Sequence, residues 1–123
     1  MSTLKLDTLS NKAGTASVPS DTIVSGTAKA WVNFDGTGTV AIRRAFNVSS
    51  ITDNGAGAYT VNFTTAMADV NYASSVYGTV GTASHSSLWA NQYSPTTSTL
   101  SFAVENQNAT STDTAYVSVA IFS

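Results

Sequence analysis

The stretch from Lys29 to Thr65 constrains the fold most, because it alternates strand-like runs with strong turn signals. In each run, apolar residues occupy every second position, and this period-two alternation is typical of a strand with one buried side. The apolar sets are Ala28, Ala30, Val32 and Phe34, then Val40, Ile42 and Phe46, and finally Tyr59, Val61 and Phe63. We therefore predict a β-meander in which each set lies on the inner face of its strand.

Two short segments rich in glycine, aspartate and asparagine separate these runs. They are Asp35-Gly36-Thr37-Gly38 and Asp53-Asn54-Gly55-Ala56-Gly57. Glycine and asparagine tolerate the positive φ of tight reversals, so we predict structural turns at Asp35, Gly36, Asn54 and Gly55. The second segment begins like a calcium-binding loop, but the later ligands and the closing glutamate are missing. A hairpin turn is therefore the interpretation.

The remainder of the chain contains further strand-like runs. They span Tyr72–Val80, Ser87–Tyr93, Leu100–Val104 and Ala115–Phe122. The last run carries apolar residues on both faces, so both of its faces should be covered in an antiparallel protein. Short strands separated by frequent turns predict an all-β fold, namely an antiparallel β-sandwich of about seven to eight strands over residues 28–123.

Residues 1–27 form a different segment, which is small, polar and poor in large apolar side chains. After Met1, its larger apolar residues are Leu4, Leu6, Leu9, Val18, Ile23 and Val24. These are too few to close a core, so the segment is either a flexible tail or packs against copies of itself in an oligomer. We predict an extended stalk or attachment segment.

Composition excludes several classes of protein. Only 10% of the 123 residues are charged, against roughly 25% in an average soluble protein, and 18 serines and 19 threonines take their place. The net charge is −2 and the basic residues are scattered, which argues against a nucleic-acid partner. An apolar run long enough for membrane insertion, a secretory signal and cysteine are all absent from the sequence, so we expect cytoplasmic assembly without disulfides.

The uninterrupted run AWVNFDGTGTVAIRRAFNVSSITDNGAGAYTVNFTTAM, residues 30–67, resembles a segment near the C-termini of bacteriophage tail-fibre and related virion proteins. The resemblance extends from Lys29 to about Tyr72, and Leu4 to Thr15 is similar to the leader that often precedes such fibre tips. It implies a virion structural protein without cofactors, working as a homotrimer that adheres to a host surface glycan or protein and joins other virion proteins through its N-terminal segment. Two alternatives stay open: a capsid decoration or head-fibre protein, and an enzyme that trims surface polysaccharide.

Beyond Tyr72 the resemblance stops, and binding residues tend to lie on individual loops held by a shared framework. We therefore predict the receptor surface between Gly81 and Pro95, with contributions from Glu105 to Thr114. The candidate binding residues are Trp89, Tyr93, His85, Asn91 and Asn108. Tryptophan and tyrosine suit binding surfaces because they bury a large area at little rotamer cost. Packing against another face is the equal alternative for Trp89 and Tyr93, whereas Trp31 is expected to be structural.

The sequence offers little for catalysis. His85 is the only histidine, and the serines beside it lack the glycine-flanked elbow of a hydrolase nucleophile. Three copies of one histidine could meet a metal on a trimer axis, but a solvated loop residue is the simpler interpretation. Nor does any spacing single out the two facing carboxylates that a glycosidase needs. We predict that the protein is not an enzyme and has no metal site.

Overall fold

In the computed structural model, residues 1–79, 89–106 and 108–123 are described, and the side chain of Trp89 lies outside the described part. These residues form ten strands and one helix. The elements are β1 (Thr8–Ser10), β2 (Ser17–Pro19), α1 (Ser20–Gly26), β3 (Ala30–Asp35), β4 (Ala41–Phe46), β5 (Val48–Asp53), β6 (Ala58–Phe63), β7 (Ala73–Thr79), β8 (Trp89–Tyr93), β9 (Thr99–Glu105) and β10 (Tyr116–Phe122).

The strands form one small hairpin and two four-stranded sheets. Strands β1 and β2 make the hairpin, the first sheet has the order β4-β3-β10-β7, and the second has the order β5-β6-β9-β8. Every strand pair in the described residues is antiparallel. The predicted all-β, antiparallel fold is therefore confirmed.

The inward side chains of the two larger sheets share one hydrophobic core. Buried residues alternate along β3, β6 and β10 as the period-two pattern predicts, and the central strand β9 adds Leu100, Phe102 and Val104. Phe34 of the first sheet meets Tyr59 of the second edge to face, with ring centroids 5.1 Å apart. Such aromatic pairs add to the stabilisation that comes from burial alone.

The predicted β-meander is wrong, because β4 and β5 belong to different sheets. The chain crosses between them at Asn47, which has a φ of 53°. The Asn47 side chain donates to the Lys29 and Thr65 carbonyls at 3.0 and 3.1 Å and accepts from the Thr65 amide at 2.7 Å. Asparagine tolerates this left-handed conformation better than most residues, so the crossover falls where the sequence allows it.

The predicted single face for Ile42 and Phe46 is also wrong. Ile42 pairs with the buried Phe34, whereas Phe46 pairs with Trp31 on the outer face. A register shift between Asn33 and Phe34 places an extra residue in β4, and one extra residue reverses the direction of every side chain that follows. Period-two counting across β4 therefore fails at the bulge.

Residues 1–27 contain the β1-β2 hairpin and the seven-residue helix α1, and their role as a stalk or attachment segment stays a prediction. We call this segment the arm. None of its residues is buried, and Leu4, Leu9 and Val24 are all more than half exposed. The helix is too short to show a 3.6-residue period in the sequence, which explains why the pattern missed it.

Candidate functional site

The strand registers collect the predicted turns at one end of the two larger sheets. The turns after Asp35 and Asp53 lie there, together with the segment 106–115 and the ends of β7 and β8 at Thr79 and Trp89. We call this the loop end. The arm, the crossover at Asn47 and the turn between β8 and β9 lie at the opposite end, which we call the arm end.

A buried tyrosine joins the three turns of the loop end. The Tyr59 hydroxyl, fully buried, lies 3.0 Å from the Gly36 carbonyl and 3.1 Å from Oδ1 of Asp113, and can donate to either acceptor. The same Asp113 oxygen accepts from the Gly57 amide at 2.7 Å. Residues from β6 and all three turns thus meet at one polar cluster, which we call the Tyr59 node.

Backbone hydrogen bonds tie the same turns directly to one another. The Gly36 amide donates to the Thr114 carbonyl at 2.9 Å, and the Val104 amide donates to the Gly57 carbonyl at 2.8 Å. The Thr112 amide donates to the Val104 carbonyl at 3.0 Å. Thr112 and Thr114, in the part of segment 106–115 that leads into β10, therefore attach this segment to the two sheets.

Two glycines are required here for different reasons. Gly57 has a φ of +66°, and a Cβ at that position would lie 2.7 Å from the Val104 carbonyl oxygen. Gly36 has no positive φ, but a Cβ there would collide with the Tyr59 hydroxyl. The predicted turn at Gly36 is present, and the glycine serves close approach rather than backbone reversal.

The node shifts the ionisation of its tyrosine. Burial raises the pKa of the Tyr59 phenol well above its usual value, and the adjacent Asp113 carboxylate raises the pKa further. The hydroxyl therefore stays protonated and available as a donor. Thr114 is also fully buried, and its side-chain oxygen has no hydrogen-bond partner in the described part of the chain.

Asparagine and aspartate side chains shape the individual turns, as the sequence predicts. Asp35 accepts from the Thr37 hydroxyl at 2.6 Å and from the Thr37 amide, and the hydroxyl contact is the main cause of a lowered pKa of the Asp35 carboxyl. Arg43 forms an ion pair with the same carboxylate at 3.0 Å. Asn54 donates to the Thr60 hydroxyl at 2.8 Å and Gly55 has a φ of +117°, so these turns present fixed shapes.

Among the candidate binding residues, Asn91 is the middle residue of β8, and Asn108 lies in the turn that follows β9 at the loop end. Asn91 on β8 donates to the Glu105 carboxylate at 2.6 Å. Asn108 is exposed in the turn that follows Glu105, and Asn106 holds that turn by accepting from the Asn108 and Thr110 amides at 2.9 and 3.1 Å. Glu105 thus accepts from Asn91 and leads directly into the turn that contains Asn108.

The other candidates are placed differently. Tyr93 is 43% exposed but pairs with Ser101 near the arm end, so it does not join the loop-end residues. Trp89 pairs with Glu105 at the loop end through its backbone. His85 and most of the predicted Gly81–Pro95 surface lie outside the described residues. The expected binding role of all five stays a prediction.

Sequence reasoning missed the Tyr59 node. Tyr59 looks like an ordinary inward residue of an alternating strand, and Asp113 lies in a polar run that carries no distinguishing signal. Only the second glycine of the turn, Gly57, hints at a close backbone approach.

The ionised residues of the loop end are mainly acidic. Its carboxylates are those of Asp35, Asp53, Glu105 and Asp113, and the Asp35 charge is paired with Arg43. The sequence places no lysine or arginine in residues 80–88 or at position 107, whereas all three lysines precede β3. The loop end therefore presents amides, hydroxyls and a net negative charge.

Within residues 1–79, 89–106 and 108–123, there is no group of three or more His, Cys, Asp or Glu side chains that could hold a metal ion. No helix in these ranges is long and apolar enough to cross a membrane. Comparison of the chain with protein-family models, curated proteins and solved structures found no match in any of the three.

Proposed function

We propose that this chain is a virion adhesion module, the receptor-binding tip of a bacteriophage tail fibre, built as a β-sandwich knob and working as a homotrimer. The resemblance of residues 29–72 supports the class of protein. We place the binding site at the loop end because the Tyr59 node holds three turns together there, at the end opposite the arm.

The division into two ends suits adhesion. The arm leaves from one end and joins the particle through other virion proteins, so the loop end points away from the attachment. Turns held by buried hydrogen bonds do not have to be ordered on binding, and this lowers the entropic cost of each contact. Three copies in one fibre add avidity even where a single contact is weak.

The chemistry of the loop end favours a neutral surface glycan as the receptor. Asn91 and Glu105 present a paired amide and carboxylate, which together can donate to and accept from the hydroxyls of a sugar. A strongly anionic polysaccharide would meet Asp53, Glu105 and Asp113 without a compensating cluster of basic residues. The expected contact is therefore polar and uncharged on the receptor side.

A binding assay with variants at each end tests the proposal. The labelled protein is applied to arrayed bacterial surface polysaccharides, both neutral and anionic, and to the whole cells from which they were taken. Asn108→Ala and Asn91→Ala should each reduce binding to neutral polysaccharide about three- to tenfold, the loss of one or two hydrogen bonds. Asn71→Ala is the matched control, because Asn71 is exposed in the connection that enters β7 at the arm end.

The outcomes separate the alternatives. Loss of binding in Asn71→Ala but not in the loop-end variants would refute the location of the site. Release of reducing sugar from the array would favour the polysaccharide-trimming enzyme. An absence of binding to every polysaccharide and cell, with a high copy number on the capsid, would favour the decoration protein.

A further inference from the structure

The outer faces of the two larger sheets differ in chemistry, although the edge strand β8 places one exposed aromatic residue, Tyr93, on the outer face of the second sheet. On the second sheet the outward residues of β5, β6 and β9 are mostly Ser, Thr and Asn, and they bond to one another, as in the 2.8 Å contact between the Thr60 and Ser101 hydroxyls. On the first sheet some outward positions carry aromatic side chains, and others carry polar ones such as Asn33 and Ser118. The aromatic residues are Trp31, Phe46, Tyr77, Tyr116 and Phe122.

We call this outer surface of the first sheet the aromatic face. The register aligns Phe46, Trp31 and Ala120 in one row across three adjacent strands, and Phe122 lies next to that row. Phe46 and Tyr77 are 54% and 65% exposed. The next row contains Asn33 hydrogen-bonded to Ser118, with Arg44 and Tyr77 at its two ends, so aromatic and polar side chains alternate on this face. Exposed aromatic side chains within a polar surround are typical of a protein interface.

The arm, in turn, has no hydrophobic core of its own. Strands of three residues and a helix of seven residues are not stable in isolation, and the arm buries none of its own side chains. An open groove of about 510 Å³ runs along its hairpin. The residues that line it are Leu9, Ser10, Asn11, Ala16, Ser17 and Val18. The arm therefore needs a surface outside itself to pack on if its hairpin and helix are to stay folded.

Position and charge suggest which surface that is. The arm joins β3 at the arm end, where the Lys29 amide donates to the Ile121 carbonyl, close to the row that contains Trp31 and Phe46. Arg44 projects from the aromatic face, Asp21 lies in the first turn of α1, and neither forms an ion pair among the described residues. These two charges complement each other.

We propose that the arm of one copy covers the aromatic face of a second copy of this chain. Within one chain the arm leaves that face exposed, so the contact is made between molecules. A second copy is also the only partner certain to be present wherever the chain itself is present. Leu9, Ile23 and Val24 then pack on Phe46, Trp31 and Tyr77, and Asp21 approaches Arg44.

Cysteine cross-linking tests this pairing directly, because the natural chain has no cysteine. Two full-length variants, Val24→Cys and Tyr77→Cys, are given tags of different mass, mixed, and oxidised. Both positions are exposed, at 61% and 65%, so neither substitution should prevent folding. Thr52→Cys, exposed on the polar outer face of the other sheet, replaces Tyr77→Cys in the matched control.

The expected result is a disulfide-linked heterodimer of Val24→Cys with Tyr77→Cys, at least tenfold more abundant than the product of Val24→Cys with Thr52→Cys. Phe46→Ser, introduced into the Tyr77→Cys chain, should reduce the heterodimer severalfold. Equal yields from Tyr77→Cys and Thr52→Cys would overturn the proposal, as would cross-links only between identical variants. The receptor assay does not enter this test, so the two proposals fail independently.

Discussion

Replacement of Gly57 by alanine isolates the contribution of the contacts that hold the loop end together. A Cβ at Gly57 would lie 2.7 Å from the Val104 carbonyl oxygen and 2.8 Å from the Thr112 carbonyl oxygen, both of them backbone atoms. Real Cβ atoms do not approach this closely, so segment 106–115 must move away from the turn. Gly38 provides the matched control, because its φ of +60° is close to the +66° of Gly57 but open space surrounds it.

The magnitude follows from the bonds that the movement weakens. They are the hydrogen bonds from Val104 to Gly57, from Thr112 to Val104, and from Gly57 to Asp113. At about 1 kcal/mol each, their loss costs about 3 kcal/mol. The left-handed backbone adds about 1 kcal/mol for alanine at either site. We therefore expect Gly57→Ala to lower the free energy of unfolding by about 4 kcal/mol and Gly38→Ala by about 1 kcal/mol.

Equilibrium unfolding in urea, followed by tryptophan fluorescence, measures both variants. Both variants share the cost of a left-handed alanine and the effect of alanine on the unfolded chain. Subtracting the stability loss of Gly38→Ala from that of Gly57→Ala therefore leaves the cost of the close contact alone. Equal losses of stability would refute the argument from close contact. They would show that segment 106–115 adapts to an added methyl group without losing its hydrogen bonds.

Three further predictions concern the framework. Asn47→Gly keeps the left-handed crossover but removes three side-chain hydrogen bonds, so it should lower the unfolding free energy by about 3 kcal/mol, and Asn47→Ala by about 1 kcal/mol more, in the same urea assay. Ile121→Asp should unfold the domain, because a buried unpaired carboxylate costs roughly 3 kcal/mol or more; a melting temperature within a few degrees of the parent would contradict this. Since burial raises the pKa of Tyr59, its stabilisation is complete below pH 10 and declines above it, by up to about 1.4 kcal/mol per pH unit. Tyr59→Phe should flatten that decline in a pH series of urea titrations, and an unchanged slope would contradict the assignment.

The sequence predicted the parts of the fold that depend on local pattern. Alternation placed Val32, Tyr59 and Ile121 inside because a half-buried strand leaves a period of two wherever its ladder is regular. It failed at Arg43-Arg44, since a bulge changes the period by one residue without leaving a compositional mark. It also failed at Asn47, where the change of sheet depends on tertiary contacts with Lys29 and Thr65.

The candidate site was predictable only in part. The turn residues could be recognised because Asp35, Asn54 and Gly55 act through their own local chemistry. The Tyr59 node could not, because Tyr59 and Asp113 are 54 residues apart and meet only when two sheets and three turns are assembled. The placement of Tyr93 near the opposite end from Asn108 likewise follows from the strand register rather than from any local signal.

Amide hydrogen exchange with and without bound polysaccharide tests the central claim that the loop end meets the receptor. The measurement uses the neutral polysaccharide that binds best in the array, on the full-length protein. The account predicts slower exchange in residues 54–57 and 108–112, with no change in the turn from Ser94 to Ser98 at the arm end. Protection confined to that turn or to the arm, with the loop end unchanged, would contradict it.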